Sequence, residues 1–142
     1  MSNLMEVKFS AKSENESLAR VIVASFAAKL DPTLDELADI KTAVSEAVTN
    51  AIIHGYEEDE SKLVYLRCNI IENTIKIVVE DRGKGIDDVQ MAMQPLYTSK
   101  PELERSGMGF TVMESFMDDV KVSSIKDEGT KIVMTKNINL PK

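Results

Sequence analysis

Ser45-Glu46-Ala47-Val48-Thr49-Asn50-Ala51-Ile52-Ile53-His54-Gly55 reads as the end of a long amphipathic helix, and the rest of the chain is arranged around it. At about 100° per residue, Ile40, Val44, Ala47, Val48 and Ala51 form an apolar arc. Glu46, Asn50 and His54 recur every fourth residue on a stripe beside that arc. An acid and a carboxamide thus border a buried face, and the small residues Ala43 and Ala47 leave room for a ligand against the backbone. Spacing alone does not separate this from a core helix with one wet side, since polar pairs at i, i+4 are common on helix surfaces. Upstream, Thr33 and Glu36 have the spacing of a capping box, so the helix spans roughly five to six turns. Gly55 is placed to be its C′ residue.

Before that helix, Met5, Val7, Phe9 and Ala11 alternate with polar residues, the period of a half-buried strand and a natural sheet edge. Ser13 with Glu16 reads as another capping box. The helix it opens is expected to bury Leu18, Val21, Ile22 and Ser25, with Ala24 and Ala28 as small packers and Glu14, Ser17 and Arg20 towards water. Asp31-Pro32 ends it. After Gly55, acidic residues 57–60 make a solvated loop. Residues 63–71 and 74–80 are rich in β-branched side chains and flank Glu72-Asn73, which predicts an antiparallel hairpin. A short helix is expected within 87–93 and a long loop over 96–106, the kind of segment that forms functional lids. Phe110, Met113, Phe116 and Met117 mark the apolar side of a further helix. Residues 120–125 and 130–136 form a last hairpin around Asp127-Glu128-Gly129. The order predicts an α+β fold, a two-layer α/β sandwich with a mostly antiparallel sheet covered on one face by helices. We expect one domain over 1–136 and a C-terminal tail over 137–142.

The 142 residues carry a net charge of −7 with no compensating basic cluster, which disfavours a phosphate-backbone partner, so no nucleic acid is expected. One cysteine, Cys68, and one histidine allow neither an internal disulfide nor a Cys/His zinc site, in keeping with a reducing cytoplasm. The N-terminus lacks a basic leader, and no apolar run reaches bilayer length, so the expectation is a cytoplasmic protein with no membrane span.

Two glycine clusters remain, Asp81-x-Gly83-x-Gly85 after a strand and Gly107-x-Gly109 opening a helix. Either one alone reads as a turn. Glycines at a helix start also expose N–H groups that hold phosphates. Neither cluster is a Rossmann fingerprint, because Asp88 and Val112 stand where its third glycine belongs, and the chain has no Walker A sequence. A lone His54 and no Gly-x-Ser-x-Gly elbow argue against a serine triad, and no acid is marked out as a second partner for Glu46 in glycoside chemistry. Phosphoryl transfer instead asks for a magnesium ligand, a base, phosphate donors and cations. Asn50, Glu46, the Gly107–Gly109 turn, and Lys100 with Arg105 match those needs in turn.

Glu46-x-x-x-Asn50, Asp81-x-Gly83-x-Gly85, Gly107-x-Gly109 and Gly129-Thr130, in that order, resemble the N, G1, G2 and G3 boxes of the GHKL ATPase/kinase superfamily. The runs at 45–55 and 100–110 are similar to those of the anti-sigma-factor serine kinases, over essentially the whole chain. The resemblance implies that Asn50 helps coordinate magnesium and that Asp81 reads the adenine amino group of ATP or ADP. It implies that Gly83 and Gly85 shape the nucleotide pocket and Thr130 supports the adenine end. Gly107, Met108 and Gly109 would offer N–H groups to the phosphates, with Thr98, Lys100 and Arg105 contributing from the lid. Glu46 would be the catalytic base, and Arg20 a contact for a partner. The implied activity is ATP- and Mg2+-dependent phosphorylation of a serine on a STAS-type anti-anti-sigma protein, together with sequestration of a sporulation-type, sigma-F-like sigma factor by a homodimer. A stress-response kinase of the same family, a nucleotide-binding sequestering module without kinase activity, and an ATPase remain the alternatives. Histidine kinases fit less well, because they usually carry Asn where Glu46 stands and bring a separate helical phosphoacceptor domain.

Overall fold

Alternation of β-branched and polar residues carries the strands into one sheet, and the helical periods between them supply its cover. The computed structural model describes residues 2–93 and 109–139. The strands are β1 (Ser2–Ser10), β2 (Leu63–Ile71), β3 (Thr74–Asp81), β4 (Asp119–Ile125) and β5 (Gly129–Asn137). The helices are α1 (Glu14–Ala27), α2 (Leu34–Thr49), the short α3 (Val89–Ala92) and α4 (Gly109–Phe116). The sheet order is β1-β2-β3-β5-β4, and each neighbouring pair is antiparallel. This is the expected α+β arrangement, with β1 at an edge. Both hairpins form at the expected places, and Glu72 and Asp127 adopt the positive φ that tight turns demand.

The chain leaves β3 at Asp81, passes through α3 and α4, and returns by β4 to lay β5 beside β3. The register pairs Asp81 with Thr130, so two residues far apart in sequence become neighbours. Ile75, Ile77, Val79, Ile132 and Met134 face the helices and are essentially buried. They meet Ile40, Val44 and Val48 of α2, the arc read from the sequence. Among the described residues no helix is long and apolar enough to cross a membrane.

Three local expectations change. Thr33 and Glu36 do form the reciprocal capping box, but Ser13 makes no side-chain cap, because the Glu16 carboxylate instead accepts the Ser45 hydroxyl of α2. α1 buries Ala19, Val23, Phe26 and Ala27, which leaves Leu18 and Val21 exposed at 47% and 64%. Two apolar stripes lie on this helix, and packing selects the one that carries the bulky Phe26. At the C-terminal end, Ile138 is buried in the core and the Asn139 side chain donates to the carbonyls of Leu30 and Asp31.

Candidate nucleotide site

Asp81 is the centre of the site. It ends β3 beside the middle of the sheet and is 3% exposed. Its Oδ1 accepts the Gly83 N–H at 2.9 Å. Burial pushes its carboxyl up to about 6; the backbone N–H groups of Gly83 and Thr130 oppose the shift, and the nearby Glu80 charge adds to it. A strand-end carboxyl held deep with two backbone donors retains lone pairs for a further hydrogen bond.

The wall facing Asp81 is not the regular helix that spacing predicts. After Thr49 the backbone widens into a π-helical turn, Asn50–Gly55, a feature that recurs at functional sites. The Tyr56 N–H reaches back to the Ala51 carbonyl at 3.0 Å. The widened turn takes His54 out of the four-residue stripe and buries it to 9% exposure. Gly55 lies within the turn and keeps an ordinary φ, so it does not serve as the left-handed C′ residue. Its missing side chain matters for another reason. A Cβ there would meet the Asp81 carboxylate at 2.5–2.7 Å.

The same close approach explains the Asp81-x-Gly83-x-Gly85 spacing. A Cβ on Gly83 would sit 1.9 Å from the Gly55 carbonyl oxygen, the atom that accepts the Lys84 N–H at 3.0 Å. Gly85 has φ +78°, and a Cβ there would strike the Ile125 carbonyl at 2.4 Å. Gly129 has φ +126° and leaves no room beside the Asp81 carbonyl. The result is a backbone-lined cradle around a buried acid.

Two residues that sequence reading passed over hold this cradle together. The Tyr56 hydroxyl donates to the Leu63 carbonyl at 2.6 Å and accepts the Arg82 N–H at 2.7 Å, which ties the π turn to β2 and to the residue after Asp81. The Ser124 hydroxyl accepts the Ile86 N–H at 2.6 Å and lies 3.0 Å from the Thr130 hydroxyl. A tyrosine closing a turn and a serine in an exposed hairpin carry no signal in sequence that would have singled them out.

Thr130 is buried and stands beside Asp81 as the register requires. Glu46 and Asn50 are half-buried one turn apart, and the Asn50 N–H bonds back to the Glu46 carbonyl. Asn50 opens the π turn that packs against β3 and β5. Gly109 starts α4, which packs on α2. Arg20 stands apart on α1, paired with Glu16 at 3.6 Å and donating to Ser17 at 3.1 Å. Thr98, Lys100, Arg105, Gly107 and Met108 lie outside the described residues. No cluster of three or more His, Cys, Asp or Glu side chains suited to a metal occurs among the described residues. Magnesium asks for less, because it keeps several waters and takes one or two protein oxygens plus phosphates. The Asn50 carboxamide is suited to that role.

Residues 9–136 match the family model of the histidine kinase-like ATPase domain. An anti-sigma F factor of Clostridium perfringens is 66% identical over 139 residues, 98% of this chain and 99% of the relative. That of Clostridium novyi is 59% identical over 136 residues, 96% of this chain and 95% of the relative. One of Anoxybacillus flavithermus is 58% identical over 142 residues, 100% of this chain and 97% of the relative. Among solved structures, the RsbU and RsbW domains of a Mycobacterium tuberculosis protein superpose with a TM-score of 0.69 at 17% identity, covering 96% of this chain and 32% of that longer one. At that identity the likeness speaks for the fold.

Proposed function

This chain belongs to the histidine kinase-like ATPase domain family, which implies nucleotide binding, and from that premise we propose that it is an anti-sigma factor with ATP-dependent protein serine kinase activity. The observation that carries the proposal is Asp81, a buried carboxyl enclosed by glycine backbone packed too closely for any Cβ, beside the turn opened by Asn50. The near full-length likeness to anti-sigma F factors supports antagonism of a sigma factor.

In this reading Asp81, held by the close-packed glycine backbone around it, accepts a hydrogen bond from the adenine amino group. Thr130 steadies the adenine end. Asn50 would hold Mg2+, which when bound neutralises charge on the phosphates. The N–H groups around Gly107, Met108 and Gly109 grip those phosphates, and Thr98, Lys100 and Arg105 add donors and charge from the intervening segment. Glu46 takes the proton from a serine hydroxyl of a STAS-type partner. The freed oxygen bonds to the γ-phosphorus as the bond to the β–γ bridging oxygen breaks, leaving phosphoserine and ADP. As a homodimer with nucleotide bound, the protein holds a sigma-F-like sigma factor, and Arg20 on α1 contributes to partner contact.

Incubation with γ-labelled ATP, Mg2+ and a STAS-domain protein tests the chemistry. Label is expected on the partner with the wild type and to fall by at least 100-fold with Glu46→Gln, the lower end of the roughly 10²–10⁴-fold that a general base contributes. Label that stays on ATP with the wild type, or transfer that survives in Glu46→Gln, rejects the kinase assignment.

A further inference from the structure

Lys136 is 3% exposed, a burial that a lysine almost never reaches without partners. Its Nζ donates at 2.7 Å to the carbonyl of Phe116, the last residue of α4. The same atom lies 3.7 Å from Oδ2 of Asp39 on α2. The Glu36 carboxyl, one turn before Asp39, sits below its ordinary range chiefly through the Thr33 N–H, then the Asn139 N–H, with Lys136 adding a smaller share. The next residues fasten the same junction to the sheet: the Asn137 N–H donates to Asp118 at 2.7 Å and the Asp118 N–H to the Thr135 carbonyl at 2.9 Å. Met117 is buried between them in sequence.

A terminal carbonyl of α4 is one of the acceptors a helix cannot satisfy within itself, and it sits at the negative end of the helix dipole. Lys136 answers both needs and links them to α2. Packing alone does not call for an ammonium here, because methionine fills a similar volume with no charge to compensate. The location is what gives the link a role. α2 leads into Asn50 and carries Glu46, and α4 opens at Gly109.

We propose that Lys136 is a positioning residue for polyphosphate binding: it fixes the tilt of α4 against α2 so that the start of α4 and the Asn50 carboxamide meet on one nucleotide. The inference rests on the nucleotide reading above. Eight residues make α4 about 12 Å long at 1.5 Å per residue. Once the Lys136 link no longer sets its direction, a change of tilt by ~10° about the Phe116 end carries the N-terminus about 2 Å sideways, beyond the tolerance of an N–H···O bond, whose distances span only about 0.5 Å.

The test is a comparison of ligands. ATP with Mg2+ and adenosine, the latter by competition, are titrated into the wild type, Lys136→Met and Asp39→Asn, well below each melting transition. Lys136→Met is expected to bind ATP at least 10-fold more weakly while adenosine affinity stays within twofold, because the base is read by Asp81 and not by α4. Asp39→Asn keeps the Phe116 contact and loosens only the link to α2, so a loss of about 3-fold for ATP alone is expected, and this variant decides the matter if Lys136→Met does not fold. Unchanged ATP affinity, or equal losses for ATP and adenosine, overturns the positioning role. A wild type that binds no ATP rejects the nucleotide reading itself.

Discussion

Replacing Asp81 with asparagine is expected to stabilise the protein while weakening its hold on adenine nucleotide. Burial raises the carboxyl from an ordinary 3.8 to about 6. Between those values the folded chain keeps a proton that the unfolded chain has released, so stability falls as pH rises through this window and levels off above it. At ~1.4 kcal/mol per unit, the shift corresponds to about 3 kcal/mol, an order-of-magnitude figure. Asparagine removes the buried charge and retains an oxygen for the Gly83 N–H. It gives up the second backbone donor, that of Thr130, at a cost of about 1 kcal/mol. The net gain above pH 7 is therefore about 2 kcal/mol. Urea titrations of the wild type and Asp81→Asn from pH 4 to 8 read it directly. The advantage of the variant should be largest at pH 7–8 and shrink as pH approaches 4. A variant that is less stable at pH 8, or an advantage that does not change with pH, refutes the reasoning. Adenine nucleotide affinity of the wild type should rise with pH through about 6 as the acceptor loses its proton, and the variant should show no such rise.

Gly83→Ala places a Cβ 1.9 Å from the Gly55 carbonyl oxygen and must break the Lys84-to-Gly55 bond; thermal melts should show a loss of about 3 kcal/mol, the upper end of ordinary overpacking, and a loss under 1 kcal/mol would mean the cradle is not rigid. Tyr56→Phe removes the partner of the Leu63 carbonyl and of the Arg82 N–H in a part-buried setting, so denaturant titration should show a deficit of about 1 kcal/mol. Hydrogen exchange at the Arg82 amide should quicken in the same variant, and an unchanged rate would remove Tyr56 from the scaffold of the site.

The strands, both hairpins and the cap at Thr33 were legible because each rests on local chemistry: period-two alternation, turn residues at positive φ, and a reciprocal hydroxyl–carboxylate pair. The Asp81–Thr130 pairing was not legible from spacing, because it depends on β5 returning beside β3, a matter of topology. The π turn was hidden for a different reason. Helical periodicity assumes a constant step, and one widened turn moves His54 off the Glu46–Asn50 stripe without any change in residue type. Gly55 ends the helical pattern as a C′ glycine would, yet what requires it is the close approach of Asp81, for which its hydrogen makes way. On α1, apolar residues occupy two stripes, and only the partner surface decides that Phe26 goes in and Val21 stays out. The same ambiguity moved Glu16 from a cap to a link with Ser45. The long loop expected over 96–106 lies outside the described residues.

Everything proposed for Glu46, Asn50 and Lys136 depends on an adenine base seated against Asp81. Calorimetric titration of the wild type with ATP and with GTP, each with Mg2+ at pH 7.5, is the most direct test of that placement. Asp81 can accept a hydrogen bond from the amino group of adenine and meets the carbonyl oxygen of guanine with repulsion. The expected result is ATP binding with at least 100-fold preference over GTP, equivalent to about 2.7 kcal/mol, and loss of that preference in Asp81→Asn. Equal binding of ATP and GTP by the wild type, or a preference that persists without the Asp81 carboxylate, contradicts the account.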